Sequence, residues 1–204
     1  MRRPSLAVVI VASIAVTLTA CATGAGTPAE SSQIAESARS LGIAPDLVYT
    51  TDVDGYDLAP QSVGTSGSEG LRATWFNEAT AAMVTIRTDR GEVTADSCPA
   101  IPLENDFDAA VTCEEDADGL WHRWAGDTHE YVAPRDGVLV RVIGTGAPSE
   151  DLRAAALAVR VPSAPELEAL FSDAPESPAG PPVERGDLPE HGDGAPIDPT
   201  GAGG

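Results

Sequence analysis

From about residue 47 to residue 144, apolar side chains recur at every second position, the spacing that places them on one face of a β-strand. Leu71, Ala73 and Trp75 alternate with Arg72 and Thr74. Ala82, Val84 and Ile86 alternate with Met83, Thr85 and Arg87, and Val138, Val140 and Val142 repeat the pattern. Short polar turns punctuate the stretch at Asp89-Arg90-Gly91, Asp118-Gly119, Gly126-Asp127 and Pro134-Arg135-Asp136-Gly137. Connections this short join antiparallel neighbours. The pattern predicts strands over 47–50, 71–77, 82–87, 92–95, 109–114, 120–124, 128–133 and 138–144. Outside this stretch the period becomes helical. Ile34, Ala38 and Leu41 share a face behind Ser31 and Ser32, with Gly42 as the stop. Leu152, Ala155, Ala156 and Val159 follow Ser149 and end before Pro162, and Leu167, Leu170 and Phe171 mark a last helix from about 164. Such helices need an apolar surface, and the sheet supplies it. The fold class is therefore α+β: an antiparallel meander sheet covered on one face by an N-terminal helix and C-terminal helices, in one domain over 34–172.

The two ends read differently. Arg2 and Arg3 precede the apolar stretch Leu6 to Leu18, which is followed by Thr19, Ala20 and Cys21. A positive head, a short apolar middle and a small-residue exit form an export signal over 1–20. As a helix that stretch rises about 20 Å, short of a bilayer core of roughly 30 Å. Residues 21–33 are small and polar, a flexible tether. Residues 173–204 hold little aliphatic mass beyond Val183, Leu188 and Ile197 among many Gly and Pro. A segment of that kind cannot offset its chain entropy by burial, so a disordered acidic tail is expected.

The exit sequence Leu18-Thr19-Ala20-Cys21 resembles the lipobox of bacterial lipoproteins. The leader, the absence of lysine and the abundance of Ala, Gly, Arg and Asp make the chain similar to the membrane lipoproteins of actinobacteria such as streptomycetes. The resemblance implies that the Cys21 thiol carries a diacylglyceryl group and heads the mature chain. Two acyl chains hold far more firmly than one, so it also implies attachment at the outer face of the plasma membrane. The partners expected are the membrane and another envelope protein.

Composition narrows the rest. There are 32 acidic and 12 basic side chains, a net charge of −20. Nucleic-acid binding, which needs a clustered basic surface, is excluded as an expectation. With Cys21 acylated, Cys98 and Cys113 remain, an even pair in an oxidising compartment and hence an expected disulfide. No nearby pair of histidines turns them into a zinc site. His122 and His129 lie on successive strands across Gly126-Asp127, which makes them neighbours on one face. With Asp127 or Glu130 beside them they read either as a metal or acid–base pair or as two half-exposed strand histidines. Trp121, next to His122, is a further candidate for ligand contact. The carboxylates at Asp52, Asp54 and Asp57 have cation-loop spacing, but an EF-hand register from Asp52 puts Val63 where a bidentate glutamate is required. Gly64 to Gly70 matches neither a nucleophile elbow nor a phosphate loop and reads as a surface loop. No catalytic residue, cofactor or metal is assigned. The leading expectation is a non-enzymatic binding or envelope-assembly module. The alternatives are an extracytoplasmic hydrolase using His122 and His129, or a divalent-cation-binding surface module.

Overall fold

The computed structural model describes residues 26–104, 108 and 110–174. The expected leader, Cys21, the start of the tether and the tail from 175 on lie outside the described residues. The domain is α+β, as the periodicity predicts. Its elements are α1 (Ser31–Arg39), β1 (Asp57–Ser66), β2 (Gly70–Asn77), β3 (Ala82–Arg90), β4 (Thr112–Glu115), β5 (Trp121–Ala125), β6 (Thr128–Arg135), β7 (Val138–Thr145), α2 (Ser149–Leu157) and α3 (Ala164–Leu170).

All pairings are antiparallel, in the order β1-β2-β3-β7-β6-β5-β4. Two meanders, β1–β3 and β4–β7, are joined where β7 pairs with β3. One face carries Leu71, Ala73, Trp75, Val84, Ile86, Val140 and Val142 and is filled by the helices. α2 lies over β6 and β7, and α3 lies against β1. Gly144 makes the α2 approach possible: a Cβ there would meet both Leu152 methyls at 3.0 Å.

The helix starts reflect local chemistry. α3 opens with a capping box in which Ser163 and Glu166 exchange bonds, and α1 opens with one between Glu30 and Gln33. The expected caps Ser31 and Ser149 instead sit inside their helices, behind Glu30 and Pro148. The stretch 26–33 is more than slack tether: Pro28 bridges Ser163, and Ala29 N–H donates to the Pro162 carbonyl at 2.8 Å.

Three strand assignments change. The strand expected at 47–50 is a single 3-10 turn at Pro45–Leu47, because Pro45 pre-sets its first dihedral; Thr50 then makes an isolated bridge to Arg160. The loop expected at 64–70 is the end of β1, a tight turn and the start of β2. The strand expected at 92–95 is absent. Residues 91–104, which follow β3, form a strap over the second face of the sheet.

The strap is held by several kinds of contact. Cys98 and Cys113 form a disulfide that ties it to β4. Cys98 packs with Trp121, Val132 and Leu139 in a small second core. Arg123 on β5 and Arg141 on β7 reach up from the sheet and donate to the strap carbonyls of Ile101 and Pro102. Glu130 lies between the two arginines and accepts from both. Nearby, Glu104 of the strap accepts from Arg72 and Arg87.

Candidate functional site: an imidazole and aromatic platform

Strand alternation and register together set this site. In β5, His122 and Trp124 point to the helix-bearing face, whereas Trp121 and Arg123 point to the strap face. The β5–β6 register places His122 opposite Tyr131 and Trp124 opposite His129. Four rings therefore meet on one face. His122 is at their centre, with ring centroids 4.6 Å from Trp124, 4.6 Å from Tyr131 and 5.2 Å from His129. His122, Trp124 and His129 are partly exposed, and Tyr131 is buried. Glu114, on the neighbouring edge strand, is paired opposite His122 and is exposed.

The two imidazoles are hydrogen-bonded, His122 Nε2 to His129 Nδ1 at 3.0 Å. Their planes differ by 13°. Two ring radii added to that nitrogen separation nearly equal the distance between centroids, so the bond lies along the line joining the rings. The facing nitrogens aim at each other. Ligands of one metal ion would instead converge on a point outside that line. Among the described residues no group of three His, Cys, Asp or Glu side chains is arranged to hold a metal ion.

Burial, and then the neighbouring His129, lower the His122 pKa below the ordinary imidazole value, against the opposing pull of Glu114 and Asp116. Asp116 accepts from the backbone N–H groups of Asp118 and Leu120, and with Asp118 it pairs with Arg153 of α2. That cation is thereby engaged. On the other flank, a shallow depression of about 480 Å³ runs from Asp127, Thr128 and His129 to Ala147, Pro148 and Leu152.

The sequence-based candidates divide. His122 and His129 are brought together. Trp121 is not part of the group: one residue of offset sends it to the other face, where it is buried beside Cys98. Cys98 and Cys113 are joined on the strap face. Asp52 and Asp54 are exposed, and Tyr56 between them and Asp57 donates to Asp151 at 2.7 Å. Tyr131 was not anticipated, and of the two tryptophans that alternation sets on opposite faces it is Trp124, partly exposed, that joins the group. Both were readable from the β5–β6 turn, since pairing outward from Gly126-Asp127 fixes which side chains face each other.

Compared with protein-family models, with curated proteins and with solved structures, the chain gives no match in any of the three.

Proposed function

We propose that the protein is an exported, lipid-anchored binding domain of the cell envelope, and that the His122–Trp124–His129–Tyr131 platform is its contact surface. The attachment rests on Leu18-Thr19-Ala20-Cys21 behind a short apolar leader. The binding role rests on one observation: rings of this size, three of them partly exposed, gather beside α2 on a face that is otherwise filled by helices. Aromatic and imidazole groups of that kind carry both apolar area and hydrogen-bonding edges, which suits recognition. The Cys98–Cys113 disulfide accords with an oxidising compartment.

Two measurements test this in the native cells. Wild-type chain takes up a palmitate label and sediments with membranes, whereas Cys21→Ser does neither; identical labelling and retention of the two would overturn the anchor. A photo-crosslinking residue placed at 124 gives a discrete adduct with an envelope component, and one placed at Leu157, exposed on α2, does not. No adduct at 124, or the same adducts from both positions, would overturn the contact surface.

A further inference from the structure

The chemistry of the platform points to its ligand. Its surroundings are acidic: Glu114 lies opposite His122, Asp116 and Asp118 close the β4–β5 turn, and Asp127 sits in the β5–β6 turn. α2 carries Glu150 and Asp151 in its first turn, Asp151 being bonded to Tyr56, and its Arg153 is committed to Asp116 and Asp118. From β6 the neighbour is Tyr131, which is buried. The chain as a whole carries −20. An exposed indole attracts a cation over its face, and a guanidinium does so best because it also stacks and offers a planar fork of donors.

The imidazole pair adds an acceptor that depends on one proton. A single hydrogen bond joins the two rings. In the neutral pair one ring donates and the other accepts, so the outer nitrogens, His122 Nδ1 and His129 Nε2, comprise one donor and one acceptor. A proton taken from solvent gives an imidazolium bonded to an imidazole, a charge-assisted bond that leaves both outer nitrogens as donors. A second proton would set two N–H groups and two positive charges against each other across 3.0 Å. The pair therefore titrates as a unit that holds one extra proton.

Resting on the platform's role as the contact surface, we infer that it docks an arginine side chain of a basic envelope protein, and that protonation of the His122–His129 pair releases it. The neutral pair supplies the acceptor for a guanidinium lying over Trp124, with Glu114 and Asp127 nearby. The protonated pair removes that acceptor and adds a positive charge beside the ligand.

The test uses the full chain in detergent micelles, with tetra-arginine amide as probe and tetra-lysine amide as comparator. At about pH 7.5, above the ordinary histidine value, tetra-arginine shifts the Trp124 indole N–H and the His129 ring signals. At about pH 5.5 its affinity falls about tenfold. Carboxylates stay ionised across that interval, so attraction by net charge alone gives no such fall. His191→Gln, at the third histidine of the chain, keeps the fall, and the double variant His122→Gln with His129→Gln abolishes it. Equal affinity at the two pH values, a fall that survives the double variant, or tetra-lysine binding as tightly would overturn the inference. Proton sharing is read separately from ring ¹⁵N titration of the wild type, which needs no variant. Two widely separated steps for His122 and His129 are expected, and two independent single steps would refute it. If tetra-arginine leaves Trp124 unmoved at both pH values while the two steps are seen, docking fails and proton sharing stands. An adduct at position 124 in cells would then leave the contact surface in place with a different ligand.

Discussion

Glu130 is 1% exposed and accepts from Arg123, itself 0% exposed, and from both Nε and Nη2 of Arg141 at 2.8 Å. One buried carboxylate thus serves two guanidinium groups, each of which also holds a strap carbonyl. Glu130→Gln keeps the volume and removes the charge. It leaves two buried cations with no counter-ion at that point and turns an amide donor toward their donors. Breaking a buried pair this way costs about 3–5 kcal/mol. Urea denaturation is expected to show a loss of that order with an unchanged slope; a loss under about 1 kcal/mol would mean that the arginines find other partners. Arg123 was legible as an anomaly, a charge in the middle of a strand whose alternation points it inward with Trp121. Its cross-strand partner Glu130 follows from the same β5–β6 turn that faces His122 with Tyr131, but the strap carbonyls of Ile101 and Pro102 do not, because the strap has no local period. Trp121 stands apart for a local reason: it is next to His122 in sequence, but strand alternation sends the two side chains to opposite faces.

Elements with strong local signals were readable, and those set by distant contacts were not. α3 announces itself by Ser163 and Glu166, and β7 by three alternating valines. β1 escaped notice because its ten residues include Pro60 and Gly64 and its register shifts between Ala59 and Gly64, which breaks the two-residue period. The β3–β7 pairing escaped because no local pattern says which distant strand fills an edge. The strap was misread as strand plus loop, since its structure comes from what it crosses. It also carries the clearest prediction at this scale. The disulfide closes a loop with a sequence separation of 15 residues, for which the chain-entropy model gives about 3 kcal/mol. Cys98→Ser with Cys113→Ser should still fold, because Arg123, Arg141 and Glu104 continue to hold the strap. Its unfolding free energy should drop by about that amount. Amide exchange should quicken over 92–104, with β2, β3 and β7 keeping their protection, as expected for local opening. Uniform acceleration across the sheet would show instead that the bond supports the whole domain. Mass spectrometry of the unreduced protein checks the linkage itself.

At the scale of the molecule, the sheet has two differently built faces under one large negative charge, and its stability should follow pH in stages. On the acid side, the His122 pKa is lowered in the folded state, first by burial and then by His129. A base so shifted contributes stability that is fully present above its unfolded value of about 6.5 and is lost as pH falls toward its folded value. Four carboxylates, Asp46, Glu104, Asp116 and Glu166, are also lowered: Arg90 leads for Asp46, and burial is outweighed at Glu104 by Arg87 and Arg72, at Asp116 by the backbone N–H groups of Leu120 and Asp118 and then Arg153, and at Glu166 by Ser163 and then Arg160. Their contribution is present above about pH 4 and fades below it. Falling pH meanwhile relieves self-repulsion in a chain of net charge −20, which stabilises every variant alike, so the histidine component emerges only as a difference. On the alkaline side, burial and the bond to Asp151 push the Tyr56 hydroxyl up to about 12. That stability is complete below the ordinary tyrosine value of about 10 and is lost as pH rises through the folded value. Thermal melts of wild type and His122→Asn, taken from about pH 7 down to about pH 5, are therefore expected to converge or cross, the wild type losing ground as its histidine pair charges. Parallel curves would mean that His122 titrates alike in the folded and unfolded chain, and would remove the burial on which its lowered pKa depends. Tyr56→Phe supplies the matching control at the other end: it should be less stable than wild type at neutral pH, and the gap should close only as pH rises from about 10 toward about 12, through the folded value of the wild-type hydroxyl.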